Sequence, residues 1–566
     1  MRNVFIAIGG SGTKVAESLV RLLAVGFPTG SSQDGSLSSV EETLHIWRVD
    51  TDRNAGAADT LKDTLREYRD LQGYLSSSEV RQAGASRWSM AVDLDVRDLN
   101  PTELPAAAEG DNQTKTLAGI LDSSYGGVQK SLPLLQPFFN ANDLKVEVDR
   151  GFYQKPFIGA AVMALFAKSL EAQNSPAGRI ASLKDFEGQP TRFFLCGSLH
   201  GGTGACGVPV MGGLLHRLQV SHQDWDWRLG ACLLSPYFVP PDPPFDPLEE
   251  HEQLPDEELR ERIESLVQLH GNKAAFSGMG LPEKRQLVWQ ILHRFYANRD
   301  EMVARARQGL MYYRDYSADY FDELYLVGKP NPSQLREWSN GGSNQRNPLN
   351  VAEVVAALAA LNFFSHREPR KTEDAYLIAS AESDIQTETV RLAQLPTYKV
   401  GDQEINPEAV LLATALLPQL ILREFPWDRV REAAGKFKLA ELYDKTGAFA
   451  AAPGERHNFE EALSLIERFI LSIVEPETPE RPSGWSADDQ SELRVLLTSD
   501  QVGENFKEKF WGSSARGVNT LGRTSVAFTA KEFGQWFPPG NAHLTRGDYL
   551  RFVWNQIYSR CRRGRA

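Results

Sequence analysis

Two clusters of small residues stand where a chain could bind phosphate. Gly9, Gly10, Ser11, Gly12 and Thr13 form the first; Gly201, Gly202, Thr203, Gly204, Ala205, Cys206 and Gly207 form the second. Each follows a short apolar run and precedes apolar residues at helical spacing, the pattern of a buried strand, a turn and a helix. Such a turn offers bare main-chain amides at a helix N-terminus, where phosphate oxygens bind. The first cluster fits neither of two familiar phosphate loops. A GxGxxG dinucleotide fingerprint would need a glycine at Val15, and a Walker loop would need a GxxxxG spacing before Lys14 and a hydroxyl residue after it.

The second cluster, within the run Gly197, Ser198, Leu199, His200 and Gly201 to Gly207, resembles the tubulin/FtsZ signature GGGTGSG or GGGTGTG, with His200 in the place of the first glycine. Other segments resemble that family in the expected order. Val49, Asp50, Thr51, Asp52 is similar to the turn after its second strand. Residues Gly151 to Gly159, with Lys155 and Pro156, are similar to its GAGxxPxxG loop near the terminal phosphate, and Ser235, Pro236, Tyr237, Phe238 to the loop bordering the ribose. Pro348, Leu349, Asn350, Val351 looks like the start of its central helix, where an asparagine reads the base. An Asn amide complements guanine rather than adenine, although Asn350 is equally placed to cap the helix. Asn331 is a second base-reading candidate.

The resemblance spans about residues 1–365 and implies GTP or GDP with magnesium, and head-to-tail assembly with itself into a homo-oligomer or filament. It also implies hydrolysis at the subunit interface, for which Glu373 and Asp374 are the candidate acids. The chain departs from the family in two places. The segment from Ser365 to Asp374 carries no NxDxxE or NxDxxD motif, and Arg346 stands where an aromatic is expected, its guanidinium plane being able to stack on a base. Two rival readings remain: a nucleotide-gated scaffold or signalling component with little hydrolysis, and an oxidoreductase using Asp50 as a ribose ligand.

The elements that must carry these residues are legible as an alternation. Apolar runs at Asn3 to Ile8, Leu44 to Val49, Phe193 to Cys196, Leu229 to Leu234 and Leu324 to Val327 are expected strands. Helical patterns follow the first and third, and an apolar helix runs from Val351 to at least Leu361. The expectation is an α/β, doubly wound nucleotide-binding domain over 1–365, with insertions near 59–145 and 248–320. Residues 366–566 are expected to form a mainly helical region, with runs at Ala409 to Glu424 and Phe459 to Val474, that recruits a protein partner.

A chain of 566 residues with 42% apolar content is long enough for two or more cores. Its net charge of −13 argues against nucleic acid and anionic membrane surfaces as general partners; the arginines from Arg560 to Arg565 are expected to be a solvated tail. Four cysteines, none in a CxxC pair, disfavour zinc and a disulfide framework. No run approaches the ~18 apolar residues of a membrane span, and no signal sequence opens the chain, so a cytoplasmic location is expected.

Overall fold

Strands buried on both faces need near-continuous apolar sequence, and the run after Met1 meets that need: β1 (Arg2–Ile8) is buried from Asn3 onward. A computed structural model describes residues 2–28, 43–52, 55–75, 93–102, 116–125, 137–139, 141–144, 146, 148, 151–152, 156–171, 183–186, 188–222, 225–239, 257, 261, 280, 299–328, 347–365, 390–400, 403–419, 453–474 and 485. Within these, α1 (Gly9–Ala24), β2 (Thr43–Val49), α2 (Gly56–Leu75) and β3 (Asp93–Leu99) follow β1. Next come α3 (Leu117–Tyr125), α4 (Pro156–Glu171), β4 (Thr191–Ser198), α5 (Gly202–Ser221), β5 (Trp227–Leu234), α6 (Arg299–Tyr312) and β6 (Glu323–Val327).

The six strands form one sheet in the order β3-β2-β1-β4-β5-β6. The β1–β4, β4–β5 and β5–β6 pairs are parallel, with Phe5 beside Phe194 and Cys196 beside Cys232. The expected α/β sheet with flanking helices is therefore present. Its order reverses between β1 and β4, the switch point at which open α/β sheets bind ligands beyond the carboxyl ends of the strands. One face of the sheet, with Val4, Ile6, Ile8, Leu195 and Leu229, packs into a core with Val162 and Phe166 of α4 and Met211 and Leu215 of α5.

β3 lies outside the expected strands because its sequence, Asp-Leu-Asp-Val-Arg-Asp-Leu, is polar. It is hydrogen-bonded to β2 at the sheet edge, and its aspartates are paired across the two strands: Asp95 meets His45 at 2.9 Å and Asp98 meets Arg48 at 3.3 Å.

The chain divides into two compact units. The first comprises residues 1–14, 45–61 and 95–347; the second comprises 15–44, 62–94 and 348–566. The apolar helix α7 (Val351–Ser365) thus groups with the C-terminal residues, whereas the sequence reading assigns it to the N-terminal domain. All fifteen of its residues are buried. The second unit also contains a short antiparallel pair, β7 (Tyr398–Val400) and β8 (Gln403–Ile405), and helices α8 (Pro407–Gln419) and α9 (Pro453–Val474). The back of α1 belongs to it: Arg21 donates to Ser472 Oγ at 2.6 Å and lies over the Phe469 ring, and Thr414 donates to the Val25 carbonyl at 2.8 Å. No helix among the described residues is long and apolar enough to cross a membrane.

Candidate functional site

The turn leaving β1 is made by a residue that only glycine suits. Gly9 has φ 72°, in the left-handed region that costs other residues about 1 kcal/mol or more. Thr13 Oγ1 donates to the Gly9 carbonyl at 2.9 Å and closes the first turn of α1. The turn leaving β4 is equally tight for a different reason. A Cβ on Gly204 would stand 2.5 Å from the Ser198 main-chain nitrogen, so the helix can start so close to its strand only without a side chain there. Gly201 is the N-cap of α5, extended and without a side-chain cap hydrogen bond, so the cap residue itself leaves the first amides of that helix open.

These two turns touch. A Cβ on Gly9 would stand 3.2 Å from Thr203 Cβ and 3.3 Å from the Gly204 nitrogen. A third helix start joins them. Pro156 opens α4 in the position where a missing N–H costs nothing, and a Cβ on Gly159 would stand 2.4 Å from Cys206 Sγ and 3.1 Å from the Gly202 carbonyl. The first turns of α1, α4 and α5 therefore meet around Gly202 to Gly204. Each helix N-terminus carries about half a positive charge and unpaired N–H groups, an arrangement suited to a polyphosphate.

Beside β1, the end of β2 carries Asp50, Thr51 and Asp52. Arg48, missed in the sequence reading, organises them: its guanidinium donates to the Asp52 carbonyl at 2.6 Å and to Asp98 at 3.3 Å, and lies 3.9 Å from Asp50. Burial raises the Asp50 carboxyl to about 6, with nearby Arg48 opposing the shift and Asp52 adding to it. Thr51 is fully buried, and its Oγ1 has no hydrogen-bond partner among the described residues. No group of three His, Cys, Asp or Glu side chains among the described residues could hold a metal. The donors here are instead the oxygens of Asp50 and Thr51, the hard kind that magnesium accepts singly alongside phosphate and water.

His200 stands between β4 and α5 at 3% exposure, its ring edge-on to Phe238 with centroids 5.8 Å apart. Its Nδ1 has no hydrogen-bond partner among the described residues. Burial lowers its pKa to about 4, so the imidazole is neutral near pH 7. Cys206, by contrast, donates its thiol to the Gly202 carbonyl at 3.0 Å, and burial pushes its pKa far up, which makes it an inert packing residue.

The structure thus brings together Gly9, Gly10, Ser11, Gly12, Thr13, Pro156 and the run from Gly201 to Cys206. Asn350 lies in the second unit and caps α7: its Oδ1 accepts from the Ala352 N–H at 3.0 Å, while Glu353 accepts from the Asn350 N–H at 2.8 Å. This is the capping reading that the sequence left open, and it engages one lone pair of the carboxamide oxygen. Lys155, Asn331, Arg346, Glu373 and Asp374 lie outside the described residues.

No family model matches the chain, and no curated protein matches it. Among solved structures, an acetoin dehydrogenase from Enterobacter cloacae overlaps at 13% identity and a TM-score of 0.20, covering 58% of this chain and 94% of that one. A single-residue variant of an actinorhodin polyketide ketoreductase, solved with NADPH, overlaps at 11% identity and a TM-score of 0.19, covering 58% and 96%. Overlaps at so low a TM-score support no inference about chemistry.

Proposed function

We propose that this chain is a tubulin/FtsZ-like protein that binds GTP at the carboxyl ends of β1, β2 and β4 and hydrolyses it when a second copy completes the site. The observation that carries the reading is the contact between the turns at Gly9 and at Thr203–Gly204. A dinucleotide-binding sheet needs only the first of these turns. Two glycine turns meeting at one switch point, joined by the start of α4, supply the density of free amides that a triphosphate requires. The amides of Gly10 to Gly12 and Gly202 to Gly204 are assigned to the phosphates, and Asp50 and Thr51 to magnesium, which would offset charge on the phosphate oxygens.

Identification of the nucleotide that co-purifies, with calorimetric titration of GTP, ATP and NADPH, tests the reading. GTP is expected to bind at least tenfold more tightly than the others; preferential binding of NADPH overturns it. The absence of an NxDxxE motif between Ser365 and Asp374 favours a second reading, in which GTP is held without turnover and the C-terminal region recruits partners. Phosphate release per subunit that rises with protein concentration supports hydrolysis in an assembly, whereas retention of GTP in assembled and dilute samples alike supports the second reading.

A further inference from the structure

We propose that His200 Nδ1 forms a hydrogen bond to an oxygen of the bound nucleotide, so that an imidazole, and not only main-chain amides, holds the ligand in the second glycine turn. This rests on the nucleotide-binding reading above. A buried polar atom without a partner costs about 1–3 kcal/mol, and native structures rarely retain one without a use. His200 holds such an atom two residues before the first residue of α5, inside the turn that meets Gly9. The ring is 3% exposed and lies edge-on to Phe238, itself buried in the segment after β5. A buried ring with a nitrogen left over is suited to an oxygen that none of the described residues supplies. Neutral imidazole carries one N–H and one lone pair, so Nδ1 suits either a phosphate oxygen or a ribose hydroxyl.

The test uses the full-length chain and the variants His200→Ala, His200→Gly and His200→Asn, with titrations of GTP, 2′-deoxy-GTP, 3′-deoxy-GTP and GMP. Asparagine sets an amide nitrogen near the position of Nδ1. The alanine and glycine variants are expected to bind GTP about tenfold more weakly, and the asparagine variant within about threefold of the parent. A loss that persists with both deoxy analogues identifies a phosphate oxygen; a loss that vanishes with one of them identifies that hydroxyl. Should the alanine variant not fold, long-range 15N spectra of the ten histidines in the parent provide the second measurement, in which GTP is expected to move the His200 Nδ1 resonance. Equal GTP affinity in parent and alanine variant, or an Nδ1 resonance unmoved at saturation, overturns this inference alone. No GTP binding by the parent overturns the nucleotide reading and this one together.

Discussion

The ammonium group of Lys14 donates to the main-chain carbonyl of Asn347 at 2.8 Å, across 333 residues of sequence. Lys14 is 4% exposed, so the one cation of the first glycine turn is committed to holding the chain together. A phosphate-binding lysine would need to reach the ligand, so on the proposed reading the phosphates fall to the main-chain amides.

Replacing Lys14 by methionine keeps most of its volume and removes that charge-assisted bond. Stability is expected to fall by about 2 kcal/mol, measured by urea unfolding, with a smaller change in GTP affinity.

Within the second glycine turn, two alanine substitutions should separate. At Gly201 the added carbon crowds Ser198 Oγ at 2.6 Å, which can turn away only by giving up the bond it accepts from the Gly201 N–H; at Gly204 it meets the Ser198 main chain at 2.5 and 2.9 Å. Gly201→Ala is expected to cost about 1 kcal/mol through that hydrogen bond, and Gly204→Ala to lose about 2 kcal/mol or more and to bind GTP poorly. Equal melting temperatures for the two would contradict the tight approach of α5 to β4.

Asn350→Ala removes the cap of α7 and is expected to cost about 1 kcal/mol. Asn350→Asp keeps an accepting oxygen for the Ala352 N–H but loses the amide donor. The aspartate variant is therefore expected to stay within about 0.5 kcal/mol of the parent in urea unfolding, whereas the alanine variant does not.

Two buried groups pull stability in opposite directions with pH. Asp50 titrates at about 6 in the folded chain against an ordinary 3.8. Its contribution is complete below about pH 4 and is lost as pH rises through 6. His200 titrates at about 4 against 6.5, so its contribution is present above about pH 6.5 and is lost as pH falls through 4. Each amounts to about 3 kcal/mol, and they nearly cancel between pH 4 and 6. Asp50→Asn should therefore make the protein lose stability on acidification across this range more steeply than the parent. His200→Asn should make it gain stability relative to the parent, as read from denaturant midpoints at half-unit intervals.

The strands that frame the site were legible because they are buried on both faces: the runs beginning at Asn3, Phe193 and Leu229 have no polar face to obscure them. β3 was not, since its aspartates mimic a loop, and the partners that seat Asp95 and Asp98 beside β2 are His45 and Arg48 across the strand pair. Arg48 itself carried a signal, as a charge inside an apolar run that ends at Asp50 and so must be paired. The glycine turns were legible by type, but their contact depends on the register of β1 against β4, which no local pattern specifies. The role of Asn350 was half legible: asparagine followed three residues later by Glu353 is a capping pattern.

Helix α7 has no outward-facing stripe. For most helices a saturation mutagenesis profile rises and falls every three to four positions as solvent-facing sites accept what core-facing ones refuse. Across Val351–Ser365 that rhythm should be missing, with polar substitutions rejected at consecutive positions, and the helix should diverge more slowly than any amphipathic helix in the chain.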